Sequence, residues 1–103
     1  MVGVFVTFRY EDNFDQRAVQ KIAESARARF QGMSGLRSKA FTIDSQTRKA
    51  VNFYVWDSEE AARAFFTDEL IERVAALYRV RPSIEFVQIA ALVENIHPHL
   101  VQA

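Results

Sequence analysis

The segment AVNFYVW, Ala50 to Trp56, alternates two sets of residues, and both sets are largely apolar. Val51, Phe53 and Val55 take one side of an extended chain, and Asn52, Tyr54 and Trp56 take the other. A strand that is apolar on both sides has to be covered on both faces, which places it in the middle of a sheet rather than at an edge. IEFVQIAALVEN, running from Ile84 to Asn95, has the same two-sided character and predicts a long final strand.

The rest of the chain alternates between the two periods. Val2, Val4, Val6 and Phe8 recur at every second position and predict a first strand over Val2 to Arg9. Asn13 followed by Gln16 reads as a helix cap, and Phe14, Ala18, Ile22, Ala26 and Phe30 then recur at helical spacing opposite charged residues. QGMSG breaks that helix, and LRSKAFTI predicts a second strand with Arg37, Lys39, Phe41 and Ile43 on one side. On composition, Arg37 and Lys39 are expected on a solvated face or rim. After AVNFYVW, Asp57 or Ser58 caps a second helical region with the stripe Ala62, Phe66, Leu70, Val74 and Leu77. Thr67 and Asp68 can restart a cap inside it, so two short helices or a kink are expected.

The resulting order, βαββαβ, predicts an α+β, ferredoxin-like domain over residues 1–95. Its four-stranded antiparallel sheet has order 4-1-3-2 and helices on one face; residues 96–103 form a C-terminal tail. Two helices cover one face only. The second apolar face calls for another cover, most simply the same face of a second subunit, and a homodimer is the expected partner.

The chain of 103 residues balances 13 Lys and Arg against 13 Asp and Glu with no long run of one sign, which argues against nucleic-acid and membrane-surface binding. It has no cysteine, which excludes disulfides, thiolate metal sites and thiol nucleophiles and fits a cytoplasmic protein. MVGVFV lacks the features of a signal peptide, and no apolar run reaches membrane-spanning length, so a soluble, unprocessed chain is expected. No phosphate loop, dinucleotide fingerprint, serine elbow or HExxH motif occurs. His97 and His99 flank Pro98 without a third ligand nearby, so no metal site is assigned.

Asn52 is the exception in the central strand. An amide, a phenol and an indole on one strand face make a row of hydrogen-bonding groups in an apolar space, which suits a ligand pocket. A buried amide is also commonly satisfied within the protein, and both readings stand at this point.

GLRSKAF, a polar turn, AVNFYVW and DSEEAARAFF together resemble the centre of dimeric α/β-barrel proteins. They are similar to the small monooxygenases of the YdhR-like and antibiotic-biosynthesis groups, over roughly Val4 to Glu94. The resemblance implies a homodimeric α/β barrel with a ligand cavity between sheet and helices in each subunit. In the cofactor-free members an Asn and a Trp separated by three residues line that cavity, and Asn52 and Trp56 match this N-x-x-x-W spacing. Val51-Asn52 stands where YdhR-like members commonly carry two glycines, and no histidine occurs between Ser58 and Tyr78 to serve as a haem ligand. The activity implied is oxidation of a small phenol, anthrone or polyketide-like compound by dioxygen without a cofactor. Asn52, Trp56 and Tyr54 are the candidate catalytic residues, and Phe65, Phe66 and Tyr78 the candidate substrate-binding residues; Arg9 is a further candidate by residue type alone. The alternative is a non-catalytic dimeric module that binds a small ligand or acts as a scaffold.

Overall fold

The computed structural model describes residues 1–95, and the expected tail, with His97 and His99, lies outside the described residues. The elements are β1 (Val2–Arg9), α1 (Gln16–Phe30), β2 (Leu36–Asp44), β3 (Lys49–Trp56), α2 (Glu59–Phe65), α3 (Asp68–Tyr78) and β4 (Ser83–Gln88). The strands form one antiparallel sheet of order β2-β3-β1-β4, so the α+β ferredoxin-like architecture stands and β3 is an interior strand. Val2, Val4, Val6 and Phe8 of β1 join Ala50, Tyr54 and Trp56 of β3 in the core beneath the helices.

Helix α1 begins later than Asn13 suggests. Asp15 is the cap and accepts a hydrogen bond from the Ala18 backbone N–H at 3.1 Å. Phe14 lies beside Tyr10, with ring centroids 5.2 Å apart. Phe14 and Val19 both join the core from positions flanking the cap, as in a hydrophobic staple. The inward stripe is therefore Val19, Ile22, Ala26 and Phe30, and Ala18, expected inside, is exposed.

The expected interruption in the second helical region is present. Ser58 caps α2 and Thr67 caps α3, each accepting from a backbone N–H three residues on. The restart shifts the phase, so Leu70, Val74 and Tyr78 face inward while Leu77 is 53% exposed, against its expected place in the stripe. Gly35, before β2, has φ +82, and a Cβ there would meet the Ala61 Cβ at 2.9 Å; only glycine lets this turn lie against α2.

Strand β4 ends at Gln88, well short of the expected Asn95. Among the described residues its only strand neighbour is β1, and Gln88 already faces Val2, the first residue of that strand. Beyond it the Ile89 N–H still donates to the Met1 carbonyl at 3.3 Å, and among the described residues no further ladder pair follows, whatever the apolar pattern of the sequence.

The helix-free face carries Phe5, Phe53, Val55 and Val87, with Phe5 and Phe53 ring centroids 4.6 Å apart. Phe5 is 36% exposed, whereas Val55 is only 2% exposed within the single chain. Among the described residues no helix is long and apolar enough to cross a membrane.

Candidate functional site

Sheet register sets out the floor of the site in two rows on the helix side. Phe41, Asn52, Val6 and Ile84 lie side by side across the four strands, and the next row is Lys39, Tyr54, Val4 and Phe86. Helix α1 covers these rows with Ile22, Ala26 and Phe30, and the α2–α3 pair covers them with Phe65, Phe66, Leu70 and Val74. A cavity of about 140 Å³ remains between the layers. Its lining is mostly aromatic and aliphatic. The polar side chains that reach it are Asn52, Tyr54, Tyr78, Lys39 and Arg29, and none of the lining residues is a carboxylate.

Asn52 is 5% exposed, and its Nδ2 donates to the Tyr78 hydroxyl oxygen at 3.2 Å. The Tyr78 ring stacks on Phe8 at 3.7 Å, and the Tyr10 hydroxyl donates to the Tyr78 backbone carbonyl at 2.7 Å. The end of α3 is thus tied to β1, which fixes the phenol opposite the amide. Burial pushes the Tyr78 hydroxyl above its ordinary value, and the Asn52 hydrogen bond works against that rise. Tyr54 is raised too, first by burial and then by Tyr78. Both phenols therefore stay protonated and can donate.

Lys39 is the residue that sequence reasoning misplaced. Arg37 is the extra residue of a bulge where the ladder to β3 shifts between Leu36 and Ser38; it stays exposed and pairs with Asp57 at 3.2 Å. Lys39, paired with Tyr54, turns inward with Phe41 and Ile43. Its Nζ lies 3.4 Å from the Phe30 ring centroid, 4.1 Å from that of Phe41 and 4.3 Å from that of Tyr54. Among the described residues no carboxylate pairs with it, and burial pushes its ammonium down to about 7. The sequence did hold a signal: Lys39 shares strand parity with Phe41 and Ile43, the apolar side of β2.

The candidate residues divide in two. Asn52, Tyr54, Phe65, Phe66 and Tyr78 come together around the cavity. Trp56 does not line it. The indole is 1% exposed, stacked beyond Tyr54 at 6.0 Å and tilted against Phe65 at 5.1 Å, and its Nε1 has no partner among the described residues. Arg9 sits exposed at the far end of β1, opposite Lys49, and is also outside the cavity. Among the described residues no group of three or more His, Cys, Asp or Glu gathers as a metal site would require.

No protein-family model matches the chain, and no curated protein matches it. Solved structures do. The chain is similar to the monooxygenase ActVA-Orf6 of Streptomyces coelicolor, solved in complex with Nanaomycin D, with a TM-score of 0.67 and 22% identity over 92% of both chains. It is similar to a Nitrosomonas europaea protein of unknown function, with a TM-score of 0.71 and 18% identity over 93% of this chain and 95% of that one. A Listeria monocytogenes ferredoxin-fold protein related to antibiotic biosynthesis monooxygenases gives a TM-score of 0.63 and 18% identity, over 82% of this chain and 53% of that chain. The chain has the fold of the antibiotic-biosynthesis monooxygenases. At these identities the likeness is one of fold.

Proposed function

We propose that the protein is a homodimeric, cofactor-independent monooxygenase of the cytoplasm that oxidises a small aromatic substrate in the cavity between sheet and helices. The observation that carries this reading is the cavity itself: an aromatic-walled space into which one amide and two protonated phenols project. A phenol that loses its proton there becomes an electron-rich anion, which can pass an electron to dioxygen without help from a metal or flavin. The balance is simple. A phenol and one dioxygen give a quinone and one water, so one oxygen atom enters the ring and the other leaves with the two hydrogens the substrate has lost.

In this scheme Asn52 and the Tyr54 and Tyr78 hydroxyls are donors to the developing oxyanion, preorganised in a space from which bulk water is largely excluded. Trp56 supports the wall from behind Tyr54 and Phe65. Homodimerisation would cover the helix-free face that carries Phe5 and Phe53. The fold shared with the Streptomyces coelicolor monooxygenase supports the reaction class.

The test is oxygen uptake with a panel of phenols, with no metal or flavin added and a chelator present. Uptake that needs the folded protein and matches quinone formation supports the reading; no uptake above the protein-free rate overturns it. The second reading, a non-catalytic ligand-binding or scaffold dimer, is favoured by the Asn52–Tyr78 hydrogen bond and by the position of Trp56. It predicts binding or stability effects without turnover.

A further inference from the structure

We propose that Lys39 is the proton acceptor of this cavity and selects single-ring aromatic compounds bearing a phenolic hydroxyl, which it holds as phenolates. The inference rests on the reading that the cavity is the ligand site, and it adds the substrate class and the residue that ionises it.

Size is the first argument. A cavity of about 140 Å³ matches the roughly 150 Å³ apolar cavity that accommodates benzene in an engineered protein. One ring fits; a fused three-ring compound needs the helices to move apart. Charge is the second. Among the described residues Lys39 and Arg29 are the only charged side chains on the cavity wall, and both are basic. Among the described residues the ionisable groups that line the cavity or the outer cleft together with Lys39 are Arg27 and Arg29 of α1, Arg37 of its own strand, Tyr54 of β3 and Tyr78 of α3, while α2 and its C-cap contribute Phe65 and Phe66. None supplies a negative charge at neutral pH, so an anionic ligand would be the missing counter-ion.

Position is the third. Lys39, Phe30 and Phe41 also border an outer cleft that carries Arg27, Gln31 and Arg37. The amine thus stands between interior and surface, where a proton taken from a ligand can be passed to water. Burial that lowers the ammonium to about 7 gives the amine a substantial neutral population at ordinary pH. Its proton-transfer step is balanced: the phenol O–H bond breaks, the proton joins the Lys39 lone pair, and an ammonium–phenolate pair replaces two neutral groups. The plainer role, an inward lysine that discourages the edge strand β2 from pairing with another sheet, predicts none of this ligand chemistry.

para-Nitrophenol tests the proposal, because its phenolate absorbs visible light and its neutral form does not. The intact protein is titrated with it at about pH 7, where a substantial share of the Lys39 amine is neutral and part of the free probe is still protonated, and binding is followed in parallel by calorimetry. Binding with growth of the phenolate band supports the proposal. Lys39→Met should remove the band and weaken binding at least ten-fold, or about 1.4 kcal/mol. Lys39→Arg keeps a charge that cannot take up a proton; it should still favour the bound phenolate, but the probe's proton then goes to the buffer, so calorimetry in buffers of different ionisation enthalpy should show more proton release on binding than in wild type. Binding that leaves the probe protonated, a band that persists in Lys39→Met, or proton release that is the same in wild type and Lys39→Arg overturns the role of Lys39 while leaving the cavity as a ligand site. No calorimetric binding of para-nitrophenol, phenol or hydroquinone overturns both.

Discussion

Replacing Lys39 by methionine should stabilise the protein near neutral pH, and the gain should shrink as the pH rises. A lysine moved from its ordinary 10.5 to about 7 by burial binds its proton more weakly in the folded chain than in the unfolded one. Between these two values the unfolded chain holds more protons, so wild-type stability rises with pH across the window from about 7 to about 10.5. The displacement corresponds to at most about 5 kcal/mol. Part of the side chain remains in water, and the faces of Phe30, Phe41 and Tyr54 favour the ammonium by about 0.5–2 kcal/mol, so about 2 kcal/mol is the expected effect. Methionine keeps the apolar stem and has no proton to lose. Urea unfolding of both proteins at about pH 6.5 and about pH 9.5 should therefore show Lys39→Met ahead by about 2 kcal/mol more at the lower pH. Tyr10, Tyr54 and Tyr78, all raised by burial, titrate in both proteins and cancel in the difference. A stability difference that does not change with pH would refute the argument that Lys39 is desolvated without a counter-ion.

Asn52→Ala should cost about 1–2 kcal/mol by thermal unfolding, because the Tyr78 hydroxyl loses its donor. It should also slow phenol oxidation, and unchanged turnover would remove Asn52 from the oxyanion site. Trp56→Phe should cost less than about 2 kcal/mol, since the smaller ring leaves a void but also removes an unpaired buried N–H. Its binding of phenol should match wild type, because the indole lies outside the cavity. Phe5→Lys should convert a dimer to a folded monomer in sedimentation velocity; a wild-type protein that sediments as a monomer would refute the dimer directly. Phe5 is a better probe than Val55, which is already buried within one chain.

The fold was legible because two periods of the sequence agree with its layers. Val2 to Phe8 alternate, the α2–α3 break falls at Thr67, and the centrality of β3 follows from its two apolar sides. The same centrality put Asn52 inside, where it is found. Ends were less legible, because they depend on neighbours. β4 stops where β1 begins, and the α1 cap moves to Asp15. At the site, Lys39 was misread because residue type outweighed strand parity, and the bulge at Arg37 separates two basic residues that the sequence presents as equivalent. The exclusion of Trp56 from the cavity follows from how Phe65 of α2 packs over it, a contact between distant segments that no spacing motif encodes.

The central claim, that this cavity oxidises a phenol with dioxygen and without a cofactor, is tested most directly with isotopically labelled dioxygen. Wild-type protein would be given a single-ring phenol under labelled gas, with chelator present, and the products examined by mass spectrometry. The account predicts one labelled atom retained in the oxidised phenol product and the other in water, at a rate that falls in Asn52→Ala. Product without label, or label incorporated equally in the absence of protein, would contradict it.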